Sequence, residues 1–193
     1  MKKQAITLGR IGILLPIAVI IPIINMFVGI AVIVLLLMSH NYFSKVYEKP
    51  LIFKKALTGT IIEIVANIVG WIIFVIAIGS AALSMSSGGE VEPVNFQKIT
   101  SVLFESAATI IGGIIILAGL IIGFYFIWQG LKLLAEQTGV KLFNTAGLLY
   151  FIGAIGIIVF GLGIIVIFAA WIVHIVAYFT VQPDEKPAEA TTA

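Results

Sequence analysis

The sequence contains no cysteine, a single aspartate, two histidines and few charged residues of any kind. Without cysteine the chain has no disulfide, no thiolate nucleophile and no cysteine-ligated metal or iron–sulfur site. Charged residues make up 10% of the 193 residues, against about 25% in an average soluble domain. The net charge of +2 is small and scattered along the chain, so the sequence offers no basic surface for nucleic acid.

The residue patterns of common enzymes are also missing. The only aspartate, Asp184, lies near the end of the chain, and the sequence has no HExxH motif, no serine–lysine pair and no phosphate-binding glycine loop. His40 is expected near the inner end of the second predicted helix and His174 near the outer end of the fifth, too far apart to share one metal ion or haem. We therefore expect no enzymatic activity, no metal and no bound cofactor.

What the chain does contain is apolar sequence. Hydrophobic residues make up 61% of it, and four long intervals, 11–44, 64–89, 106–131 and 142–183, carry no Lys, Arg, Asp or Glu. A membrane-spanning helix needs about 20 apolar residues. The runs are continuous and do not alternate as the strands of a membrane barrel would. The sequence thus predicts an all-α, polytopic helical membrane protein embedded in the lipid bilayer.

Proline, glycine and polar residues divide the chain into about five membrane helices. They are predicted at about 4–21, 23–43, 51–83, 99–137 and 143–180. Pro22–Asn25 reads as a tight turn, so that the first two helices form a short hairpin. Pro50 suits the first turn of the third helix, and Gly139 suits a stop after the fourth. Residues 1–181 then form one helical membrane domain, followed by a disordered polar tail at 182–193.

Two points of this topology stay open. The N-terminal hairpin either crosses the membrane or only dips into it, because both leave the same residues on one side. A turn at Gly161–Gly163 is the alternative to an unbroken helix over 143–180. The unbroken helix is favoured because no polar residue flanks those glycines to meet water.

The positive charges orient the helices. In the five-helix arrangement nine of the eleven basic residues lie on one side, and only Lys98 and Lys186 lie on the other. Basic residues concentrate on the cytoplasmic side of membrane proteins. The sequence therefore predicts a multi-pass protein of the cell membrane with a cytoplasmic N-terminus and an external C-terminus.

One group of polar residues lies inside the third predicted helix. Thr60, Glu63 and Asn67 follow each other at helical spacing and share one face. Arg10 on the first helix is expected at a similar depth and could form an ion pair with Glu63. Polar residues within a membrane are costly and are candidates for function. Alternatively, Glu63 and Asn67 only hold helices together, with Arg10 reaching toward the interface.

A weaker candidate pair is Glu105 with His174. Both are expected about two helical turns from the outer ends of their helices. A carboxylate beside an imidazole can relay protons or receive a cation. In the alternative interpretation both lie unpaired among the lipid headgroups, beside an aromatic belt formed by Trp171 and Tyr178.

Small residues four apart indicate close helix packing. Three such pairs occur in the third and fourth predicted helices: Ala66 with Gly70, Ala108 with Gly112, and Gly119 with Gly123. Pairs of this kind let two helices approach closely. They predict packing within one chain or between copies.

The most distinctive segment spans residues 131–154 and reads LKLLAEQTGVKLFNTAGLLYFIGA. This segment, together with an N-terminal LGRIG start at 8–12 and the paired opening helices, resembles the domain-of-unknown-function 996 family over about 8–180. These are small multi-span proteins found largely in archaea, with no assigned activity. The resemblance therefore implies a topology and an archaeal source, and it transfers no site.

Two functions remain from the sequence. The leading hypothesis is a non-enzymatic membrane protein that works by association, either as a homo-oligomer or as an accessory subunit of a larger membrane complex. The alternative is a small ion or proton-coupled transporter or channel, with Glu63 as the carrier, Asn67 as its polar neighbour and Arg10 as its counter-charge.

Overall fold

A computed structural model describes residues 1–20, 25–86, 106–158 and 161–183, and all its regular structure in these ranges is helical. The six α-helices are α1 (Lys2–Leu14), α2 (Asn25–Val46), α3 (Pro50–Ser86), α4 (Ala107–Thr138), α5 (Leu142–Gly156) and α6 (Gly163–Thr180). Four stretches are long and apolar enough to cross a membrane: Val28–Val46, Pro50–Ser80, Ala107–Thr138 and Gly163–Thr180. The predicted fold class is confirmed.

The first helix is shorter than predicted. Helix α1 ends at Leu14, and Leu15–Ile20 continues as a 3-10 helix, so the prediction of one helix over 4–21 is wrong. Pro16 is the physical reason, because it lacks an N–H group and its ring clashes with the preceding turn of an α-helix. Of the predicted turn, residues 22–24 lie outside the described part of the chain. Helices α1 and α2 nevertheless pack against each other, as a hairpin requires.

Helix α3 begins and helix α4 ends close to the predicted signals, whereas α4 begins at Ala107, after the non-helical Ser106, and not at about 99. Helix α3 begins at Pro50, where the missing N–H costs nothing because the first turn of a helix has no carbonyl to receive it. Helix α4 ends at Thr138 and is followed by Gly139 with φ of 73°. That left-handed conformation ends many helices and favours glycine.

The favoured unbroken helix over 143–180 is wrong. The chain forms α5 and α6, which pack against each other as a hairpin. Gly161 has φ of 73° in the connection between them. The described residues beside the turn form main-chain hydrogen bonds: Ile157 N–H donates to Gly153 O at 3.0 Å, and Gly161 N–H donates to Ile157 O at 3.1 Å. A backbone that satisfies itself in this way can turn within an apolar environment.

The helices fall into two compact units. The first contains the described residues of Met1–Ile61 and Gly123–Ala193, and the second is Ile62–Ile122. The core of the first unit joins residues from all six helices: Ala5, Ile6, Ile13, Phe43, Tyr47, Ile52, Leu131, Leu134, Ala135, Phe143, Ala177, Tyr178 and Val181. The end of α6 therefore lies beside α1. The expectation of chain ends on opposite faces rested on the unbroken helix and loses that basis.

The described part of the second unit is a pair of helices. It consists of the part of α3 from Ile62 onward and the part of α4 up to Ile122. The two helices meet along small residues, with Gly70 against Gly112 and Ala66 against Gly119. Side chains on the remaining faces are largely exposed, as in Ile72 at 54% and Ile114 at 60%.

Candidate functional site

A cluster of polar side chains is buried in the core of the first unit. Ser39 and His40 come from α2, and His174 and Tyr178 come from α6. Ser39 and Tyr178 are completely buried, and each histidine is 4% exposed. Polar groups inside a membrane bundle carry a high desolvation cost unless they find partners. This cluster is therefore the candidate functional site.

Two hydroxyl groups of the cluster form a short hydrogen-bonded chain. Ser39 Oγ donates to the main-chain oxygen of Ala5 at 2.7 Å and lies 3.3 Å from the hydroxyl of Tyr178. Since the single hydrogen of Ser39 goes to Ala5, Tyr178 is the donor in the second bond. The chain links α1, α2 and α6, and it leaves the lone pairs of the Tyr178 oxygen unused in these two bonds.

His40 is held in one orientation by its own helix. Its Nδ1 lies 2.7 Å from the main-chain oxygen of Leu36. A carbonyl oxygen only accepts, so Nδ1 carries the hydrogen and donates it. In the neutral ring, Nε2 then keeps its lone pair. This Nε2 is buried and has no hydrogen-bond partner within the described structure.

His174 is surrounded by aromatic rings. Tyr178 stacks on it at 5.1 Å between ring centroids, while Phe143 and Tyr150 meet it edge-on at 5.9 and 5.8 Å. Neither of its ring nitrogens has a hydrogen-bond partner within the described structure. An unsatisfied buried polar group costs about 1–3 kcal/mol. His174 is thus kept in the core although its nitrogens gain no hydrogen bond there.

The expectation that His40, near an inner helix end, lies far from His174, near an outer helix end, is wrong. His40 follows Ser39 on α2, and Ser39 Oγ lies 3.3 Å from the hydroxyl of Tyr178, which comes one helical turn after His174 on α6. The separation of α5 from α6 explains the error, because it reverses the direction of the helix that carries His174. Trp171 and Tyr178 do not form the predicted exposed belt either, since Tyr178 is fully buried.

Two side chains fasten the first helix to the last beside this cluster. Arg10 Nε donates to the main-chain oxygen of Tyr178 at 3.0 Å, and one terminal nitrogen of Arg10 donates to the oxygens of Phe179 and Val181 at 3.4 and 3.3 Å. The guanidinium also lies 4.9 Å from the ring centroid of Phe179. Trp171 Nε1 donates to Ile13 O at 2.9 Å. Arg10 thus satisfies carbonyls that the end of a helix leaves without partners.

The predicted polar face of α3 is only partly an interior face. Glu63 and Asn67 are half-buried in the second unit, and Thr60 is half-buried in the first. The Asn67 side chain donates to the main-chain oxygen of Glu63 at 2.8 Å, within its own helix. Glu63 Oε1 is buried and has no hydrogen-bond partner within the described structure. Trp71, which continues this face, is 56% exposed.

The two predicted charge pairs stay predictions. The described contacts of the Arg10 side chain are those with the end of α6, and Glu63 lies in the other compact unit. Glu105 lies outside the described residues, so the structure locates only His174 of the pair Glu105–His174.

The small residues of α3 and α4 bring the two helices together. A Cβ atom added to Gly112 would lie 3.0 Å from the main-chain oxygen of Gly70, and the one missing at Gly119 would meet the side chain of Ala66. In the first unit, Gly123 lies against Gly59, a partner that the sequence reasoning missed. Ala108 is half-buried.

The sequence reasoning also missed Ser39 and Tyr178 as members of a site. A signal was present, because His174 and Tyr178 are four residues apart and so share a helix face with each other. That spacing does not tell which helices pack together. The contact of Tyr178 with Ser39 of α2 becomes visible only once α5 and α6 are known to form a hairpin. No group of three or more metal-ligating His, Cys, Asp or Glu side chains occurs in the described ranges.

Fold and site together define a polytopic helical membrane protein with a buried histidine cluster. The family model described as a protein of unknown function (DUF996) matches residues 27–172, and the chain belongs to this family. The uncharacterized protein MJ1644 of Methanocaldococcus jannaschii is 34% identical over 188 residues, which cover 95% of each chain. No solved structure matches the chain. The predicted family membership is confirmed.

Proposed function

We propose that this protein is a non-enzymatic membrane protein that works by association, as a homo-oligomer or as an accessory subunit, and that the α3–α4 pair of the second unit is its contact surface. The observation that carries the proposal is the small share of this pair buried within the chain. Only 11% of the most apolar stretch of α3 and 17% of that of α4 are buried, against 28% in both α2 and α6.

Lipid covers exposed apolar side chains at no cost, so exposure alone does not require a partner. Open glycines add a second argument. Gly79 on α3 and Gly113 on α4 have no atoms near the position that a Cβ would take. Gly113 directly follows Gly112, which is used against α3. Small residues on an open face allow close approach by a helix from another chain.

A cross-linking experiment tests this proposal. Because the chain has no cysteine, Gly113→Cys introduces a single thiol on the open face of α4. In proteoliposomes treated with a short thiol-reactive cross-linker, we expect cross-linked dimers. Gly29→Cys is the matched control, since Gly29 on α2 is equally open and lies outside the proposed surface.

Dimers of the Gly113 variant alone would support contact through α3 and α4. Equal cross-linking of both variants would indicate random collision. No cross-linking of the Gly113 variant would contradict the proposal that α3 and α4 form the contact surface. A bulky substitution provides a second readout. Gly113→Leu should lower the number of copies per assembly, whereas Gly29→Leu should leave it unchanged.

Small-ion or proton-coupled transport is the second candidate, and Glu63 is the observation that favours it. Its Oε1 is buried in an apolar helix pair with no donor in the described structure. The amide of Asn67 is directed to the main chain and not to this carboxylate oxygen. A carboxylate in such a place can take up a proton or a cation.

Flux measurements separate the two candidates. In proteoliposomes, a Glu63-dependent transporter should move protons or common cations, and Glu63→Gln should abolish the flux while the protein stays folded. Asn67→Ala is the matched control for loss of a neighbouring polar group. If the wild-type protein, shown to be folded and inserted, produces no flux, the transport candidate fails and association stands alone.

We further propose that both chain ends face the cytoplasm, in place of an external C-terminus. Support comes from the end of α6 lying beside α1 and from the nine basic residues assigned to the N-terminal side. With the chain returning to that side, Lys186 joins them, and only Lys98 stays opposite. A fluorescent protein that folds only in the cytoplasm, fused to the C-terminus, should be fluorescent, whereas a dark, full-length fusion would contradict this orientation.

A further inference from the structure

We propose that Lys3, Thr7 and Arg10 bind the phosphate headgroup of an anionic phospholipid, on the face of α1 beside the end of α6. This site lies in the first unit and is independent of the proposed association through α3 and α4. The proposal rests on a polar helix face without a carboxylate, on an arginine whose described contacts include no anion, and on the apolar side chains that border them.

The three side chains share one face of α1. They follow each other at i, i+4 and i+7, the spacing that places side chains above one another on a helix. Lys3 and Thr7 are exposed and Arg10 is half-buried, whereas another face of α1 lies in the core of the first unit. The chain has no aspartate or glutamate before Glu48. No carboxylate of α1 or α2 therefore neutralises the two positive charges.

The guanidinium of Arg10 is held in place but is only partly used. Its Nε and one terminal nitrogen donate to the main-chain oxygens of Tyr178, Phe179 and Val181. The second terminal nitrogen has no acceptor among the described residues. The three acceptors are neutral carbonyls, and the dipole of a helix end offsets only about half of a unit charge. A fixed guanidinium with free N–H groups and uncompensated charge is well suited to bind a phosphate.

The hydroxyl of Thr7 is a second available donor. A threonine in a helix often donates to the main-chain oxygen four residues earlier, as Thr138, Thr145 and Thr180 do. Thr7 forms no such bond within the described structure. Its exposed hydroxyl lies one helical turn from each of the two basic residues, so that it can donate to a phosphate held between them.

Apolar side chains beside this face indicate that the phosphate belongs to a lipid. The ring centroid of Phe179 lies 4.9 Å from the guanidinium carbon of Arg10, and its side chain is 52% exposed. Ile11, one turn beyond Thr7, is 47% exposed. A free phosphate ion would leave both side chains uncovered, whereas the acyl chains of a phospholipid cover them. Basic residues between membrane helices bind anionic headgroups in this way.

Native mass spectrometry of the protein in detergent tests the site. The protein is titrated with phosphatidylglycerol and, separately, with phosphatidylcholine of the same acyl chains, and the bound lipids are counted. We expect one phosphatidylglycerol to bind at least about tenfold more tightly than phosphatidylcholine. Lys3→Gln should lower the affinity for phosphatidylglycerol about fivefold. Thr7→Val should lower it about tenfold, because a hydrogen bond to a charged group is lost.

Lys54→Gln is the matched control. Lys54 is exposed as Lys3 is, and its replacement removes the same charge, but it lies on α3 and outside the proposed site. Phosphatidylglycerol should bind to this variant as it binds to the wild type. Equal losses of affinity in Lys3→Gln and Lys54→Gln would indicate a general attraction between charges and would overturn the site. All three substituted positions lie outside the core, so the variants should fold.

Two further measurements identify the ligand. Inorganic phosphate should displace the lipid no better than sodium chloride of equal ionic strength, and specific displacement by phosphate would overturn the assignment to a lipid. The acidic residues Asp184 and Glu185 follow Val181 in the sequence, outside the described residues. The proposal also fails if the wild type shows no preference for phosphatidylglycerol. If the Asp184→Asn/Glu185→Gln variant then acquires that preference, the chain's own tail is the partner of Arg10.

Discussion

Replacing Gly163 by alanine tests the turn that separates α5 from α6. Gly163 is the first residue of α6 and packs against the end of α5. The added methyl would lie 2.6 Å from the carbonyl carbon of Gly156, and it would also meet Gly153 O and Ile157 N. All three neighbours are backbone atoms, which cannot move aside as the end of a flexible side chain can.

The expected loss follows from this geometry. Carbon atoms normally rest about 3.5–4.0 Å apart, so the two backbones must separate by roughly 1 Å. Overpacking of this kind costs about 1–3 kcal/mol, and we expect the upper end for Gly163→Ala. In an unbroken helix over 143–180 the same change would stabilise the protein by up to about 1 kcal/mol, the difference in helix propensity. The two topologies therefore predict opposite signs.

The assay is reversible unfolding in mixed micelles of mild detergent and SDS, followed by circular dichroism. Gly29→Ala is the control, because no atoms lie near its missing Cβ and its free energy of unfolding should stay unchanged or rise slightly. An increase in the free energy of unfolding for Gly163→Ala would refute the hairpin.

The contacts that hold the first helix give three further predictions for the same assay. Arg10→Met should lower the free energy of unfolding by about 2 kcal/mol, because the charged hydrogen bonds are lost. Arg10→Lys should recover less than half of that loss, because an ammonium lacks the planar fork of the guanidinium. Equal stability of Arg10→Met and the wild type would contradict this. Ser39→Ala removes the hydrogen-bond partner of Ala5 O and of the Tyr178 hydroxyl, and it should also lower the free energy of unfolding by about 2 kcal/mol. A loss under about 0.5 kcal/mol would contradict the buried hydrogen bonds of Ser39. Trp171→Phe removes one hydrogen bond and should cost about 1 kcal/mol, and an unchanged free energy of unfolding would indicate that the indole is not bound to α1.

Much of the fold was predictable because membrane helices leave strong signals in a sequence. Long charge-free runs marked the spans, Pro50 marked the start of α3, and Gly139 marked the end of α4. These signals are local, since each depends on the conformation of one residue or on the cost of burying a charge in lipid.

The break between α5 and α6 was harder to predict. Polar residues normally mark a turn because they bind water, and none flanks Gly161. The described residues beside the turn instead form main-chain hydrogen bonds with one another, and its glycines allow the two helices to touch. That second feature depends on the packing of residues ten positions apart, Gly153 and Gly163, which no local pattern reports.

Prediction of the candidate site also depended on the break between α5 and α6. With an unbroken last helix, His174 is expected far from His40, and Tyr178 is expected among lipid headgroups. The return of the chain brings Tyr178 of α6 against Ser39 of α2, and His174 stacks on Tyr178. The polar residues were visible in the sequence, whereas their grouping required the helix pairing.

The number of chains per assembly in a bilayer tests the proposed function most directly. Wild-type protein extracted into lipid nanodiscs without detergent can be counted by single-molecule photobleaching of one label per chain. The account predicts two or more copies, and fewer in Gly113→Leu than in Gly29→Leu. Single copies of the folded wild-type protein at every lipid-to-protein ratio would contradict self-association, and the absence of any other protein in the same discs would contradict the accessory-subunit form as well.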